Sequence, residues 1–219
     1  MEIARDVFIT GATGYVGRAL VERLLQRGHK VRALVREESR GRLPMGCDAV
    51  VGNALDASTF ASRVREGDTF VQLVGVPHPN PSKAAQFRSI DLASALAGIE
   101  AARRAGAKHF VYVSVAHPSP VMKAYVEARM EAEVALRQSG LAATILRPWY
   151  VLGPGHWWPA GLIPFYWVFA KIPATREPAL RLGLVSLEQM VGALAWAVEN
   201  PADGVRVLDV PGIRAAAAR

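Results

Sequence analysis

Cysteine is almost absent from this chain of 219 residues, in which Cys47 is the single example. A lone cysteine cannot form an intrachain disulfide, and Cys47 has no second cysteine or closely spaced histidine with which to hold a metal ion. We therefore expect no metal site and a reducing compartment, the cytoplasm. The charged residues of segment 1–6 are also untypical of a signal peptide.

Long runs of one kind of residue are lacking as well. The formal net charge of +7 favours anionic partners, yet no cationic run is longer than Arg103 and Arg104, and no nucleic-acid-binding motif accompanies it. We expect no nucleic-acid partner. The apolar stretch 157–169 is broken by two prolines and a glycine and is too short to cross a bilayer. We expect no membrane span, while a contact with a membrane surface remains an alternative.

The chain is rich in apolar residues, which make up 51% of it and exclude a disordered protein. Strand-like runs of β-branched residues alternate with amphipathic segments of helix length, and this alternation predicts one α/β domain with a doubly wound parallel sheet. The Ala-rich tail 215–219 is expected to fray. Strands are predicted at 7–9, 31–35, 49–51, 69–74, 110–113, 143–146, 181–185 and 205–208, and helices at 14–27, 57–65, 89–105, 123–139 and after a capping box of Ser186 and Gln189.

The alternation is interrupted between residues 148 and 178, where Pro, Gly and Trp are frequent. No internal repeat or second domain is visible, so we predict a single domain over 1–219 with 148–178 as a small C-terminal extension.

A glycine-rich turn lies between the first strand and the first helix. Residues 10–17 read T-G-A-T-G-Y-V-G. Gly11 permits a sharp turn, Gly14 permits close approach of phosphates, and Gly17 allows the helix to pack tightly on the strand. The spacing of three and three differs from the two and three of the usual fingerprint. We predict a dinucleotide site formed by Gly11, Ala12, Thr13, Gly14, Tyr15, Val16 and Gly17.

The turn and four further stretches resemble the atypical short-chain dehydrogenases/reductases, which include NmrA-like and other NAD(P)-binding proteins. The further stretches are 31–36 (V-R-A-L-V-R), 52–56 (G-N-A-L-D), 125–133 and 139–155 (S-G-L-A-A-T-I-L-R-P-W-Y-V-L-G-P-G). The resemblance spans most of the chain and implies a Rossmann-type domain that binds a nicotinamide dinucleotide.

The end of the second strand bears on the choice of nucleotide. NAD-selective sites usually carry Asp or Glu there, whereas this chain has Arg36, whose guanidinium suits the 2'-phosphate of NADP(H). Glu37 and Glu38 follow and could instead reach the ribose. We predict NADP as the cofactor, with NAD as the alternative.

Further cofactor contacts are expected along the same edge of the sheet. The resemblance implies that Asn53, Ala54 and Leu55 contact the adenine side and that Val74 and Gly75 line the adenosine-ribose side. Position beyond the sixth strand places three more residues beside the nicotinamide, namely Pro148, Trp149 and Tyr150.

Three residues are similar to the catalytic constellation of short-chain reductases: Ser114, Tyr125 and Arg129. Tyr125 and Arg129 share a helix face, but the family pattern has lysine in the second place, and arginine is a poor proton relay. Arg129 could instead pair with Glu133 on an ordinary exposed helix. His117 is an alternative proton donor.

These features predict an NADP(H)-dependent oxidoreductase that acts on a small apolar or aromatic carbonyl compound or quinone. A non-catalytic NAD(P)-binding redox sensor or complex-supporting protein is the alternative, and a nucleotide-sugar epimerase or dehydratase ranks lower. Segment 148–173 is expected to face the substrate, although its rings could also fill the core or a homodimer contact. We expect a monomer or a homodimer. The rings are Trp149, Tyr150, Trp157, Trp158, Phe165, Tyr166, Trp167 and Phe169.

Overall fold

A computed structural model describes residues 4–119, 121–155, 177 and 181–219. Its strands are β1 (Asp6–Thr10), β2 (Lys30–Val35), β3 (Asp48–Val51), β4 (Thr69–Gln72), β5 (His109–Val113), β6 (Ala143–Leu146), β7 (Tyr150–Leu152), β8 (Leu184–Ser186) and β9 (Val205–Leu208). Its helices are α1 (Tyr15–Gln26), α2 (Ala84–Gln86), a π-helical stretch (Phe87–Leu92), α3 (Ala93–Ala105), α4 (Lys123–Gln138), α5 (Leu187–Glu199) and α6 (Val210–Ala217).

Seven strands form one parallel sheet in the order β3-β2-β1-β4-β5-β6-β9. The chain starts at β1, builds outward to β3, and then crosses back to β4 on the other side of β1. Neighbouring connections at this reversal leave in opposite directions, which opens a crevice at the carboxyl ends of the strands. The predicted doubly wound α/β fold is confirmed.

Successive residues of the central strands pack on opposite faces of the sheet, as strand geometry requires. Phe8, Phe70 and Phe110 stack in a row beneath α3 and α4, with ring centroids 5.3 Å and 5.1 Å apart. Ile9 and Val71 point to the other face, where α1, α5 and α6 cover them. Helices therefore cover both faces of the sheet, and the carboxyl ends of its strands remain as the place where a ligand could bind.

Two predicted elements differ from the structure. The helix expected at 57–65 consists of two 3-10 turns, Ala57–Thr59 and Ala61–Arg63, because Phe60 between them has φ −141°. The strand expected at 181–185 is Leu184–Ser186, and it pairs with β7 outside the main sheet. The capping box of Ser186 and Gln189 is confirmed at the start of α5.

The tail also differs from its prediction, because residues 215–217 belong to helix α6. Asp209 caps this helix by accepting the Gly212 N–H at 2.9 Å. Ile213 and Ala216 are buried against α5, so burial of an apolar face stabilises a segment whose composition alone indicated fraying.

A buried ion pair lies on strand β2, whose other buried residues are apolar. Arg32 donates from Nη2 to both carboxylate oxygens of Asp68 at 2.6 Å, and both residues are at most 5% exposed. Asp68 also accepts the backbone N–H of Arg65 at 2.7 Å. The pair therefore fastens the loop before β4 to the outer half of the sheet.

Replacement of Asp68 by alanine is expected to lower the free energy of unfolding by about 3–5 kcal/mol, because it leaves the Arg32 charge buried and unpaired. Urea unfolding followed by circular dichroism measures the change. Asp203, which is exposed, provides the control, since Asp203→Ala should alter stability by less than about 0.5 kcal/mol. Equal effects of the two substitutions would show that the buried pair adds nothing.

Candidate functional site

The glycine-rich turn leaves β1 at the crevice and leads directly into α1. Gly11 has φ +76°, and a Cβ there would lie 2.8 Å from the carbonyl carbon of Leu73 in the neighbouring strand exit. A Cβ on Gly17 would collide with the carbonyl oxygen of Gly11 and approach the Ala12 Cα to 2.9 Å. The first and last glycines are thus required by the packing of the turn itself.

The N-terminus of α1 suits a pyrophosphate. Its N-cap residue, Gly14, is exposed and supplies no side-chain cap. The N–H groups of the first helical turn have no intrahelical acceptor, and the helix dipole is positive at this end. Val16 and Gly17 therefore offer backbone donors to an anion, and the residues present fit a dinucleotide.

The exits of β2 and β3 carry the residues predicted for the adenosine half. The Arg36 side chain is 74% exposed and lies 3.1 Å from a Glu38 carboxylate oxygen through Nε. Asn53 uses its side-chain oxygen to accept the Leu55 N–H at 3.0 Å. Its oxygen is thus engaged in the local turn, whereas the Arg36 guanidinium extends from the sheet edge.

Beyond β4, Val74 borders the glycine-rich turn at Gly11, and Gly75 lies against a buried ion pair that the sequence analysis did not predict. Arg129 donates to Asp91 through Nη2 at 2.6 Å and to the carbonyl of Val113 through Nη1 at 2.8 Å. Asp91 also accepts the Val76 N–H at 2.9 Å. The pair therefore joins the exits of β4 and β5, and a Cβ on Gly75 would collide with the guanidinium.

This arrangement bears on the predicted constellation of Ser114, Tyr125 and Arg129. Arg129 is 5% exposed, and its guanidinium carbon lies 5.3 Å from the Tyr125 ring centroid. Tyr125 also packs edge-on against Phe87. The alternative in which Arg129 pairs with Glu133 on an exposed helix is wrong, since the guanidinium is buried against Asp91.

Glu133 has a different set of partners. It is 3% exposed and is held by two hydrogen bonds from Arg147, of which the bond from Nε is 3.0 Å long. Burial acts to raise the pKa of Glu133, but Arg147 and the neighbouring Ser114 hydroxyl outweigh it and hold this pKa below its usual range. Ser114, itself 2% exposed, thus lies beside a carboxylate.

A polar cavity of about 270 Å³ opens at the exits of β5, β6 and β9. His117 lies in its wall, and His117 Nε2 is 3.4 Å from the Glu133 Oε1. Burial and the charge of Arg147 lower the pKa of His117, and Glu133 opposes them. The lining residues are Ala116, His117, Arg147, Arg181, Val207 and Asp209.

Only the beginning of the predicted substrate-side segment is described. Pro148 is buried, and Trp149 and Tyr150 pack edge-on with ring centroids 5.5 Å apart. A Cβ on Gly153 would collide with the Tyr15 hydroxyl, so the segment starts against the glycine-rich turn. The rings from Trp157 onward lie outside the described residues.

Sequence reasoning missed Asp91, Glu133 and Arg147 as members of the site. Asp91 lies 38 residues from Arg129, and a pairing of that separation leaves no local pattern. Within the described ranges, no group of three His, Cys, Asp or Glu residues could bind a metal ion. No helix of those ranges is both long enough and apolar enough to cross a membrane.

A family model described as NAD(P)H-binding matches residues 11–153. The chain is 28% identical over 201 residues to the ceramide reductase of Caulobacter vibrioides. The aligned region covers 91% of this chain and 62% of that protein. It is 32% identical over 225 residues to a 3-diazoavenalumate denitrifying reductase of a Streptomyces species, covering 90% of this chain and 73% of the relative.

Among solved structures, a UDP-galactose 4-epimerase is similar in fold, with a TM-score of 0.69 at 19% identity over 93% of this chain and 76% of that chain. The chain thus spans less than two thirds of the length of the ceramide reductase and about three quarters of the other two proteins.

Proposed function

The chain belongs to the NAD(P)H-binding family, and on this premise we propose that it is an NADPH-dependent reductase of a small carbonyl compound or quinone. The observation that carries the proposal is that the glycine-rich turn and the polar cavity lie at the same edge of the parallel sheet. Gly11 follows β1 directly, and Arg147 and Asp209 follow β6 and β9 directly. Carboxyl ends of parallel strands meet at one edge.

The two halves of this edge suit the two ends of the cofactor. The first turn of α1 would bind the pyrophosphate, and the exits of β2 and β3 would hold the adenosine end. The nicotinamide would then extend over β5 and β6 toward Trp149, Tyr150 and the polar cavity. When bound, the dinucleotide supplies a hydride, and the walls of the cavity position the group that accepts it.

Preference for NADPH is proposed from Arg36. Its guanidinium is exposed at the end of β2, where a carboxylate would repel a 2'-phosphate. We expect Arg36→Ala to weaken NADPH binding by roughly tenfold, the loss of about 1.5 kcal/mol for one charge-assisted contact. NADH binding should change by less than about twofold. Isothermal titration with both nucleotides measures the ratio.

Arg103 serves as the matched control for this substitution, because it is exposed near the end of α3, at the opposite edge of the sheet. Arg103→Ala should leave both affinities unchanged. An unaltered NADPH to NADH ratio in Arg36→Ala would remove the basis of the cofactor assignment and leave NAD in its place.

For the substrate, we propose only the group that reacts, which is a carbonyl group or a quinone. An apolar or aromatic carbonyl compound is the expectation from the composition of 148–173, most of which lies outside the described residues. NADPH oxidation measured with a panel of quinones, aldehydes and ketones tests it, together with a carboxylate-bearing ketone, because the cavity is lined by two arginines.

A non-catalytic role is the second candidate, and one observation favours it. Arg129 stands where the family pattern has lysine and is fixed by Asp91 and Val113, so it cannot serve as a mobile proton relay. Tight NADPH binding without turnover of any member of the panel would support a sensor and contradict the reductase.

A further inference from the structure

We propose that His117, oriented by Glu133, donates the proton that completes reduction of a carbonyl group bound in the polar cavity. The proposal rests on the proposed reductase function and assigns to it a proton donor other than the tyrosine of the family pattern. It also identifies the cavity as the place where the substrate oxygen lies.

Position is the first argument. His117 follows β5 by four residues, and it lines the cavity together with Arg147 and Asp209, which directly follow β6 and β9. The cavity is therefore built from three adjacent strand exits on the half of the crevice that lies away from β2 and β3. This is the half in which the substrate end of a dinucleotide bound at the turn would lie.

The second argument is the way in which the ring is held. Glu133 Oε1 lies 3.4 Å from His117 Nε2, and the carboxylate is itself fixed by two hydrogen bonds from Arg147. A buried carboxylate orients an imidazole and stabilises its protonated form. Among the described residues, Nδ1 has no hydrogen-bond partner, so this nitrogen can serve the substrate.

The proton step balances with the groups already named. The carbonyl carbon accepts a hydride from NADPH, and the electron pair of the C=O π bond moves to the oxygen. That oxygen takes the proton of the imidazolium as the N–H bond breaks. The products are an alcohol, the oxidised dinucleotide and a neutral imidazole, which regains a proton from water through the cavity.

Tyr125 is less well placed for this role. Its ring contacts Phe87 and the Arg129 guanidinium at the start of α4. It is not among the residues that line the cavity. The arginine beside it is committed to Asp91 and Val113. By contrast, His117 lies in the cavity wall, and the carboxylate of Glu133, which does not itself line the cavity, lies 3.4 Å from its ring.

The pH dependence distinguishes the two donors. The groups that face His117 are Glu133 from α4, Arg147 after β6, and Arg181 and Asp209 across the cavity. Burial, Arg147 and Arg181 lower the pKa of His117 below 6.5, with Glu133 opposing them. Since the protonated ring is the acid, kcat should be highest below this pKa and fall about tenfold per pH unit above it. A tyrosine donor predicts no such fall between pH 5 and pH 9, because a phenol is a much weaker acid than an imidazolium.

The experiment compares kcat from pH 5 to pH 9 in the wild-type protein, His117→Gln and Glu133→Gln, with the best carbonyl substrate of the panel. His117→Gln should lower kcat by about 100-fold or more and abolish the fall with pH, while NADPH affinity stays within about twofold. Glu133→Gln should move the midpoint of the fall to lower pH, because the stabilising carboxylate charge is lost.

Glu131→Gln is the matched control, since Glu131 lies on the same helix but is exposed and pairs with Arg88. It should reproduce the wild-type profile. A wild-type kcat that stays level to pH 9 would overturn the assignment even if His117→Gln failed to fold. Undiminished turnover in a folded His117→Gln would overturn it while leaving the reductase intact. Absence of turnover in the wild-type protein would contradict both.

Discussion

Replacing Gly17 by alanine is expected to weaken dinucleotide binding by about 10- to 100-fold, because overpacking costs about 1–3 kcal/mol and about 1.4 kcal/mol corresponds to a factor of ten. The added methyl group would collide with the Gly11 carbonyl oxygen and crowd the Ala12 Cα. Relief of that collision must move α1 away from the turn, and with it the N–H groups that would bind the pyrophosphate. Titration of NADPH by fluorescence measures the loss.

Gly41 provides the control for this substitution. A Cβ at Gly41 meets no atom within 4 Å, and its backbone is not in the left-handed region. Gly41→Ala should therefore leave NADPH affinity and melting temperature unchanged. If Gly17→Ala bound NADPH as tightly as the wild-type protein, the turn would not be the pyrophosphate site.

The second large effect is expected from Arg129→Met, which should destabilise the fold by about 3–5 kcal/mol, because a buried carboxylate is left without its cation. Asp91 is fully buried and would keep only the Val76 N–H as a described hydrogen-bond donor. The two strand exits joined by the pair would separate more easily. Urea unfolding of the variant measures this cost.

A double-mutant cycle separates this structural role from a catalytic one. Adding Asp91→Leu to Arg129→Met removes the stranded charge and should recover about half of the lost stability or more, since apolar replacement of a buried pair is often tolerated. If Arg129→Met instead kept wild-type stability and lost only turnover, Arg129 would act in catalysis as the lysine of the family pattern does.

The architecture and the position of the glycine-rich turn could be predicted from the sequence because both follow from local patterns. Alternating strand and helix periods predict a parallel sheet. The steric reasons for glycine at 11, 14 and 17 all lie within one turn of the chain. The capping box at Ser186 is equally local. Each of these features depends on residues only a few positions apart.

The polar cavity and the side-chain pairs beside it could not be predicted in this way, because tertiary contacts form them. Asp91 and Arg129 lie on different helices, and His117 meets Glu133 only when the loop after β5 folds over α4. The local spacing of Arg129 and Glu133 suggested a pair that does not form. The tail was misjudged for the same reason, since α6 depends on burial against α5 rather than on its own composition.

The central claim is tested most directly by hydride transfer from NADPH in which both hydrogens at C4 of the nicotinamide are replaced by deuterium. The protein is incubated with this cofactor and the panel of quinones, aldehydes and ketones, and the products are analysed by mass spectrometry. With an aldehyde or ketone, a reductase predicts one deuterium on the former carbonyl carbon for each NADPH oxidised. With a quinone, whose hydroquinone O–H groups exchange with water, it predicts one hydroquinone for each NADPH oxidised. Saturating NADPH binding without a reduced product from any of these compounds would contradict the account and leave a dinucleotide-binding protein without this chemistry.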